Sequence, residues 1–384
     1  MPNPKNKILF IFIIILSVAG VIAGLCYWLL FGKISISGIP TNSTIYIDGN
    51  QQSYTGTTFE KRLYIKDYLV QILCDDYIPY EKTVTIRPGQ KTTVNEPLTK
   101  FFISKALAEN VSSISTFNDK DKYYYISDGI LYKTDKNFAS TKLTAKTLGG
   151  VDSIFWSPDQ KLAVTLTNEF GQLFDFKQYD ILSQTTTPWR DGIKSAVWLD
   201  NDRILYYYAP PTGEKSLIST NKGHTEVQTL LDLRQYMENN GDLILVPGSN
   251  LDIFIIGKDV INFNLSTRMA TPITGSGNIV KGAISPDKKY LSLLTKDELV
   301  FYDITTKSII DTDSAPSLSV MTWQGDKVYY IDNGRLASVS PATPKSTYLN
   351  VTKVPILDKT TQMTSVDQLI VILADSKLFN IKLE

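Results

Sequence analysis

Hydrophobic residues along this chain follow three successive patterns. The first is an uncharged apolar run, Ile8–Phe31. At about 1.5 Å per helical residue it is long enough to cross a hydrocarbon core of about 30 Å, so it predicts a transmembrane helix over 8–31. Tyr27 and Trp28 lie near its end, where amphipathic rings favour the membrane interface. Lys5 and Lys7 precede it, which assigns residues 1–7 to the cytoplasm and the chain after Lys33 to the outside. A cleaved signal peptide would carry a shorter apolar core of roughly 7–15 residues. A lipoprotein signal would need a small residue before Cys26, where Leu25 stands.

The second pattern, over 33–100, alternates with the two-residue period of β-strands. Ile34 and Ile36 are separated by serine, Ile45 and Ile47 by Tyr46, and Val84 and Ile86 by threonine. Turn signals fall between them at Ile39-Pro40-Thr41-Asn42, Asp48-Gly49-Asn50 and Pro88-Gly89-Gln90. Short strands at even spacing predict a small antiparallel sandwich.

The third pattern repeats. Ile154-Phe155-Trp156-Ser157-Pro158-Asp159 leads into the apolar stretch Leu162–Leu166, then Tyr179-Asp180-Ile181-Leu182-Ser183-Gln184. Ala283-Ile284-Ser285-Pro286-Asp287 leads into Tyr290–Leu294, then Tyr302-Asp303-Ile304-Thr305-Thr306-Lys307. Weaker copies hold Trp198-Leu199-Asp200-Asn201 and Trp323-Gln324-Gly325-Asp326, and Phe263-Asn264-Leu265-Ser266-Thr267-Arg268 echoes the end of the unit. Taking Phe117, Trp156, Trp198, Val246, Ile284, Trp323 and Val366 as equivalent gives a period of roughly 40 residues, the size of a four-stranded propeller blade. The fold class expected is therefore all-β: an N-terminal transmembrane helix, a small sandwich and a β-propeller of about seven blades over 112–384.

Two resemblances follow from these residues. Pro40, Ile45-Tyr46-Ile47-Asp48-Gly49, Gly56-Thr57-Thr58, Tyr77, Pro88-Gly89-Gln90 and Leu98 resemble a PEGA domain, which implies a spacer or binding role at a cell surface. Thr41-Asn42-Ser43 and Lys66-Asp67 depart from that pattern. Trp-Ser-Pro-Asp followed by an apolar strand resembles TolB-like and WD-type propellers.

Composition narrows the function. Thirty-nine basic residues balance 39 acidic ones and form no tract, which excludes a nucleic-acid partner. Cys26 and Cys74 fall in different segments and form no CxxC, so neither a disulfide nor a zinc site is expected. The lone histidine, His224, has no GxSxG partner and reads as an exposed turn residue. The pairs Asp119/Asp121, Asp200/Asp202 and Asp311/Asp313 could bind calcium or cleave glycosides, but they fall where strands turn. Tyr123-Tyr124-Tyr125 and Tyr206-Tyr207-Tyr208 could stack sugars, yet in strands alternate members face opposite neighbours. Sequons begin at Asn42, Asn110, Asn264 and Asn350 and suit exposed loops.

No catalytic, cofactor-binding or metal-binding residue is assigned. The expected function is that of a membrane-anchored extracytoplasmic binding or scaffolding protein of the cell envelope. The expected partners are the lipid bilayer through 8–31 and an envelope protein or glycan. The competing expectation is an envelope polymer hydrolase or lyase with acidic residues at the propeller mouth.

Overall fold

The computed structural model describes residues 15–20, 24, 28–74, 77–95, 98–116, 122–135, 138–144, 148, 151–169, 173–180, 182–183, 185–189, 192–234, 236, 244–248, 251–257, 259–273, 279–350, 354–367 and 369–383. Most of the 8–31 segment lies outside them. Ile15–Gly20 and Trp28–Leu30 are helical, and among the described residues no helix is long and apolar enough to cross a membrane. The chain divides into two units, residues 1–101 with 350–352, and residues 102–349 with 353–384.

The first unit is a β-sandwich. Residues 31–103 form, in chain order, β1 (Phe31–Ser37), β2 (Thr44–Ile47), β3 (Asn50–Gln52), β4 (Thr58–Tyr64), β5 (Asp67–Leu73), β6 (Tyr77–Ile78), β7 (Tyr80–Thr85), β8 (Lys91–Asn95) and β9 (Thr99–Ile103), of which β6 and β9 pair with each other outside the two sandwich sheets. One sheet runs β4-β1-β8, with β1 and β8 parallel, and the other β3-β2-β5-β7. The alternating residues of the sequence meet between them: Ile34, Ile36, Ile45, Ile47, Val70, Ile72 and Val84 form one buried cluster with Phe59 and Tyr68. Each such side chain contributes about 1.5–3 kcal/mol on leaving water. Asp48 and Gly49 both take positive φ, as a two-residue hairpin turn demands, and so join β2 to β3. Phe31, counted above as the end of the apolar run, instead opens β1 and pairs with Tyr64. An uncharged residue suits a strand as well as a helix, so hydropathy did not mark this boundary.

The second unit is a propeller-like set of successive antiparallel sheets, here numbered as blades. The innermost strands are Val111–Thr116, Val151–Trp156, Ile193–Trp198, Ile244–Pro247, Ile279–Ile284, Met321–Gln324 and Thr360–Val366. Each touches the next, and Thr360–Val366 touches Val111–Thr116, so the seven strands close a ring. In blades one to six the chain then steps outward through three more strands in sequence order. The seventh is covered by chain from ahead of the first blade: Ser104 donates its N–H to Asn380 O at 2.9 Å, and Leu107 to Leu378 O at 2.8 Å.

Second strands are buried on both faces, as in Arg203–Tyr208 and Leu369–Ala374. The tyrosine runs divide as the strand period requires. Tyr124 packs with Trp156 of blade two, whereas Tyr123 and Tyr125 pack with Val371 and Leu373 of blade seven. Tyr207 faces blade four, and Tyr206 and Tyr208 face blade two.

The Ser-Pro-Asp turns are built by their own side chains. Ser157 Oγ donates to Asp159 Oδ1 at 2.8 Å and accepts the Leu162 N–H at 3.0 Å, while Asp159 accepts the Lys161 N–H. Ser285, Asp287, Lys289 and Tyr290 repeat this arrangement. Farther out, Asp180, Asn264 and Asp303 each accept two backbone N–H groups from the turn after the third strand. These are Asx-type turns, which explains the recurring Asp or Asn.

Candidate binding site at the mouth of the ring

Five innermost strands share a β-bulge. Val111, Val151, Ile193, Ile279 and Thr360 are paired, one residue is skipped, and pairing resumes at Ser113, Ser153, Ser195, Lys281 and Gln362. A bulge bends its strand and re-aims the side chain it frees. The skipped residues, Ser112, Asp152, Lys194, Val280 and Thr361, therefore occupy matching places where the inner strands begin. Ser112, Val280 and Thr361 are exposed and Lys194 is half-buried. The next position is polar in all five blades, and in blade five it is a lysine. Lys281 is half-buried, and desolvation holds its ammonium below the usual lysine range. Hydroxyls, an amide and two lysines thus come from separate strands to one end of the ring; the Ser112 hydroxyl donates to Val151 O at 3.1 Å and the Thr361 hydroxyl to Leu373 O at 3.2 Å, which leaves their oxygens as acceptors for a polar ligand.

Counting from the bulge places Ser365, rather than Val366, level with Trp156, and Thr116 rather than Phe117. Phe117 itself lies outside the described residues. A single-residue slip reverses which side of a strand is meant, and a spacing count cannot detect it.

Farther along the strands, polar groups join neighbouring blades. Gln362 Oε1 accepts the Ile114 N–H at 2.8 Å, and the Thr116 and Thr364 hydroxyls meet at 2.7 Å. Trp156 Nε1 donates to Ser115 Oγ at 3.0 Å, Trp198 Nε1 to Phe155 O at 2.9 Å, and Trp323 Nε1 to Ala283 O and Ser292 Oγ. All three tryptophans are buried at the joint with the preceding blade. They belong to cores, as the repeat predicts.

Among the described residues, Asp200 and Asp313 of the acidic pairs are engaged at separate places. Asp200 accepts the N–H groups of Asp202 and Arg203 and pairs with Arg203. Asp313 holds Ser346 through its N–H and hydroxyl. Asp311 is exposed, and Asp119 and Asp121 lie outside the described residues. Among the described residues no cluster of His, Cys, Asp and Glu could hold a metal ion.

His224 corrects an expectation. It occupies a turn at φ +57°, but its ring lies 4.6 Å from Trp189 and stacks on Tyr206 at 5.7 Å, so it is half-buried. Two of the four sequons also differ from the exposed-loop expectation. Asn350 is buried, and the Asn264 amide oxygen builds a turn, whereas Asn42 and Asn110 are exposed. Cys74 is a free, buried thiol.

One network was not anticipated. Tyr348 Oη donates to Asp332 Oδ2 at 2.6 Å, Asn333 Nδ2 donates to Oδ1, and the Arg335 guanidinium lies 3.9 Å over the Tyr348 ring. Burial and the adjacent Asp332 push the Tyr348 phenol up to about 12. The signal available was Asn333-Gly334, a hairpin turn pair beside a charged residue on each side.

Comparison with known proteins bears on both units. Residues 31–101 match the PEGA domain family. The structure of U3-55K is similar at a TM-score of 0.53 and 11% identity, over 74% of this chain and 98% of that one. Virginiamycin B lyase from Staphylococcus aureus is similar at a TM-score of 0.50 and 10% identity, over 74% and 99%. At such identities the likeness concerns the fold, and it supports the propeller-like ring. Comparison with curated protein sequences found no match.

Proposed function

We propose that this chain is a membrane-anchored extracytoplasmic binding or scaffolding protein of the cell envelope, without catalytic activity of its own. The uncharged run 8–31 would span the membrane with the N-terminus inside, the PEGA-like sandwich would follow it outside, and the ring would hold an envelope protein or glycan. The observation that carries this reading is how the polar groups are distributed. Asp159, Asp200, Asp287, Trp156, Trp198 and Trp323 are engaged in turns and blade joints, while the bulged starts of the inner strands carry Ser112, Lys194, Lys281 and Thr361. Hydrolysis or lysis of an envelope polymer would need carboxylates about 5–10 Å apart in one pocket. Asp200 instead anchors a turn, and Asp313 holds Ser346 of the strand Thr343–Tyr348.

The test is a pull-down from envelope extract with the full chain in detergent, beside a Lys194→Glu/Lys281→Glu variant of unchanged melting temperature. A partner retained by the parent and lost by the variant supports the mouth as its site. Equal retention would move the site elsewhere. Turnover of an envelope polymer by the purified protein would replace the binding reading with the enzymatic one.

A further inference from the structure

The end of the sandwich nearest the apolar run is built unlike the rest of it. Trp28, Leu29, Leu30, Tyr64 and Ile65 are all exposed, Trp28 and Tyr64 at more than half of their surface. They form one patch. Ile65 donates its N–H to Leu30 O at 3.2 Å, and the Phe31 and Tyr64 rings lie 4.3 Å apart. The patch is also tied to the turn at Gly89. Gly89 donates to Phe31 O and Lys33 to Gln90 O, both at 2.9 Å, and the Trp28 indole fills the space where a Cβ on Gly89 would stand. Beside it is a hollow of about 330 Å³ whose lining includes Trp28, Phe31, Lys33, Arg62 and Lys91. Glu60 lies bound between Lys33 and Lys91.

We propose that this surface is a membrane-docking collar. The exposed rings and leucines enter the headgroup layer, and Lys33, Arg62 and Lys91 face lipid phosphates. The inference rests on the anchor reading above. A bilayer is favoured as the occupant because the patch is continuous with the uncharged run Ile8–Phe31, which brings lipid to this end of the sandwich. Tryptophan and tyrosine rings beside flanking cations are the composition that suits a membrane–water boundary. The sandwich would then sit on the bilayer through fixed contacts instead of hanging from a flexible tether.

The experiment uses the full chain with Cys26→Ser and Cys74→Ala, reconstituted in phosphatidylcholine–phosphatidylglycerol vesicles. A single cysteine, at Ile65→Cys or Thr41→Cys, carries an environment-sensitive fluorophore. Thr41 is an exposed turn residue beyond the opposite end of β2, where Thr44 pairs with Leu73. Circular dichroism establishes that each labelled protein is folded. Nitroxide-bearing lipid should abolish most emission from position 65 and little from position 41. Lys33→Glu/Lys91→Glu should weaken the quenching at 65. Position 65 unquenched, in protein that still needs detergent for extraction, would overturn the collar and leave the anchor standing. Position 65 shielded from aqueous iodide yet untouched by the lipid quencher would mean that a second copy of the chain covers the patch, which also overturns the proposal. Release by alkaline carbonate alone would remove the anchor, and the collar with it.

Discussion

Blades two and five leave their innermost strands through the same three residues, Ser157-Pro158-Asp159 and Ser285-Pro286-Asp287, with the same hydrogen bonds. They meet the blade before them quite differently. At the joint of blade two, Trp156 is buried and its indole N–H reaches across to Ser115. Blade five has Ile284 at that place, and at its joint Gly282 leaves room for Ile256 of blade four, whose Cδ1 would have to shift to admit a Cβ. The turn is local chemistry that can be repeated with the motif. The joint is a fit between two particular surfaces, solved separately at each boundary.

Substitutions can separate these two kinds of joint. The largest effect is expected from Trp323→Ala, which removes a buried indole with two acceptors and should cost about 3–5 kcal/mol in denaturant unfolding. Trp323→Phe, which retains most of the packing, should lose much less. Gly282→Val should cost about 1–3 kcal/mol through overpacking. If it melted like the parent, the close approach of Ile256 would not be what holds blades four and five.

Smaller effects belong to the rim and the turns. His224→Ala should cost about 0.5–1.5 kcal/mol by thermal unfolding, because two aromatic rings lose their neighbour. A melting temperature equal to the parent's would return His224 to the status of a simple exposed turn residue. The smallest effect is tied to pH. The Ser285 hydroxyl, foremost, and the Lys289 N–H hold the Asp287 carboxyl below its ordinary value of 3.8. Because the folded pKa is the lower one, the stabilisation is present above the unfolded value and is lost as pH falls through the folded value. Ser285→Ala should therefore flatten the decline of melting temperature at the acid end and leave neutral behaviour nearly unchanged. An identical acid limb in both proteins would show that Asp287 gains nothing from the turn.

Legibility in the sequence followed the range of the interaction. Alternation marked the sandwich core because the strand period is set by the backbone itself, and Ile34, Ile36, Ile45 and Ile47 are all buried. The tyrosine runs were legible for the same reason. The Ser-Pro-Asp turns were legible because all their partners lie within five residues. The bulges were not, since serine, aspartate, lysine, valine and threonine all serve at the skipped position and only the partner strand reveals it. Hence the slips at Phe117 and Val366. Nor was the packing of His224, whose neighbours Trp189 and Tyr206 are distant in sequence. At the mouth, the lysines were visible as residues, but their places, Lys194 at a skipped position and Lys281 just after one, depended on the bulges.

The pairing that covers blade seven has a consequence for how the chain becomes a protein. Asn380 and Ser104 are 276 residues apart, and their hydrogen bonds cannot form until nearly all the intervening chain has been synthesised. Bringing such distant partners together adds an entropic barrier that grows with the logarithm of the separation, and contacts of this kind slow folding. During synthesis the early blades would wait with an open edge, a strand border ready to pair with the wrong chain. The strand Lys377–Leu383 acts as a latch, and a chain interrupted shortly before Lys377 would carry all seven innermost strands and still lack the pairing with Ser104 and Leu107.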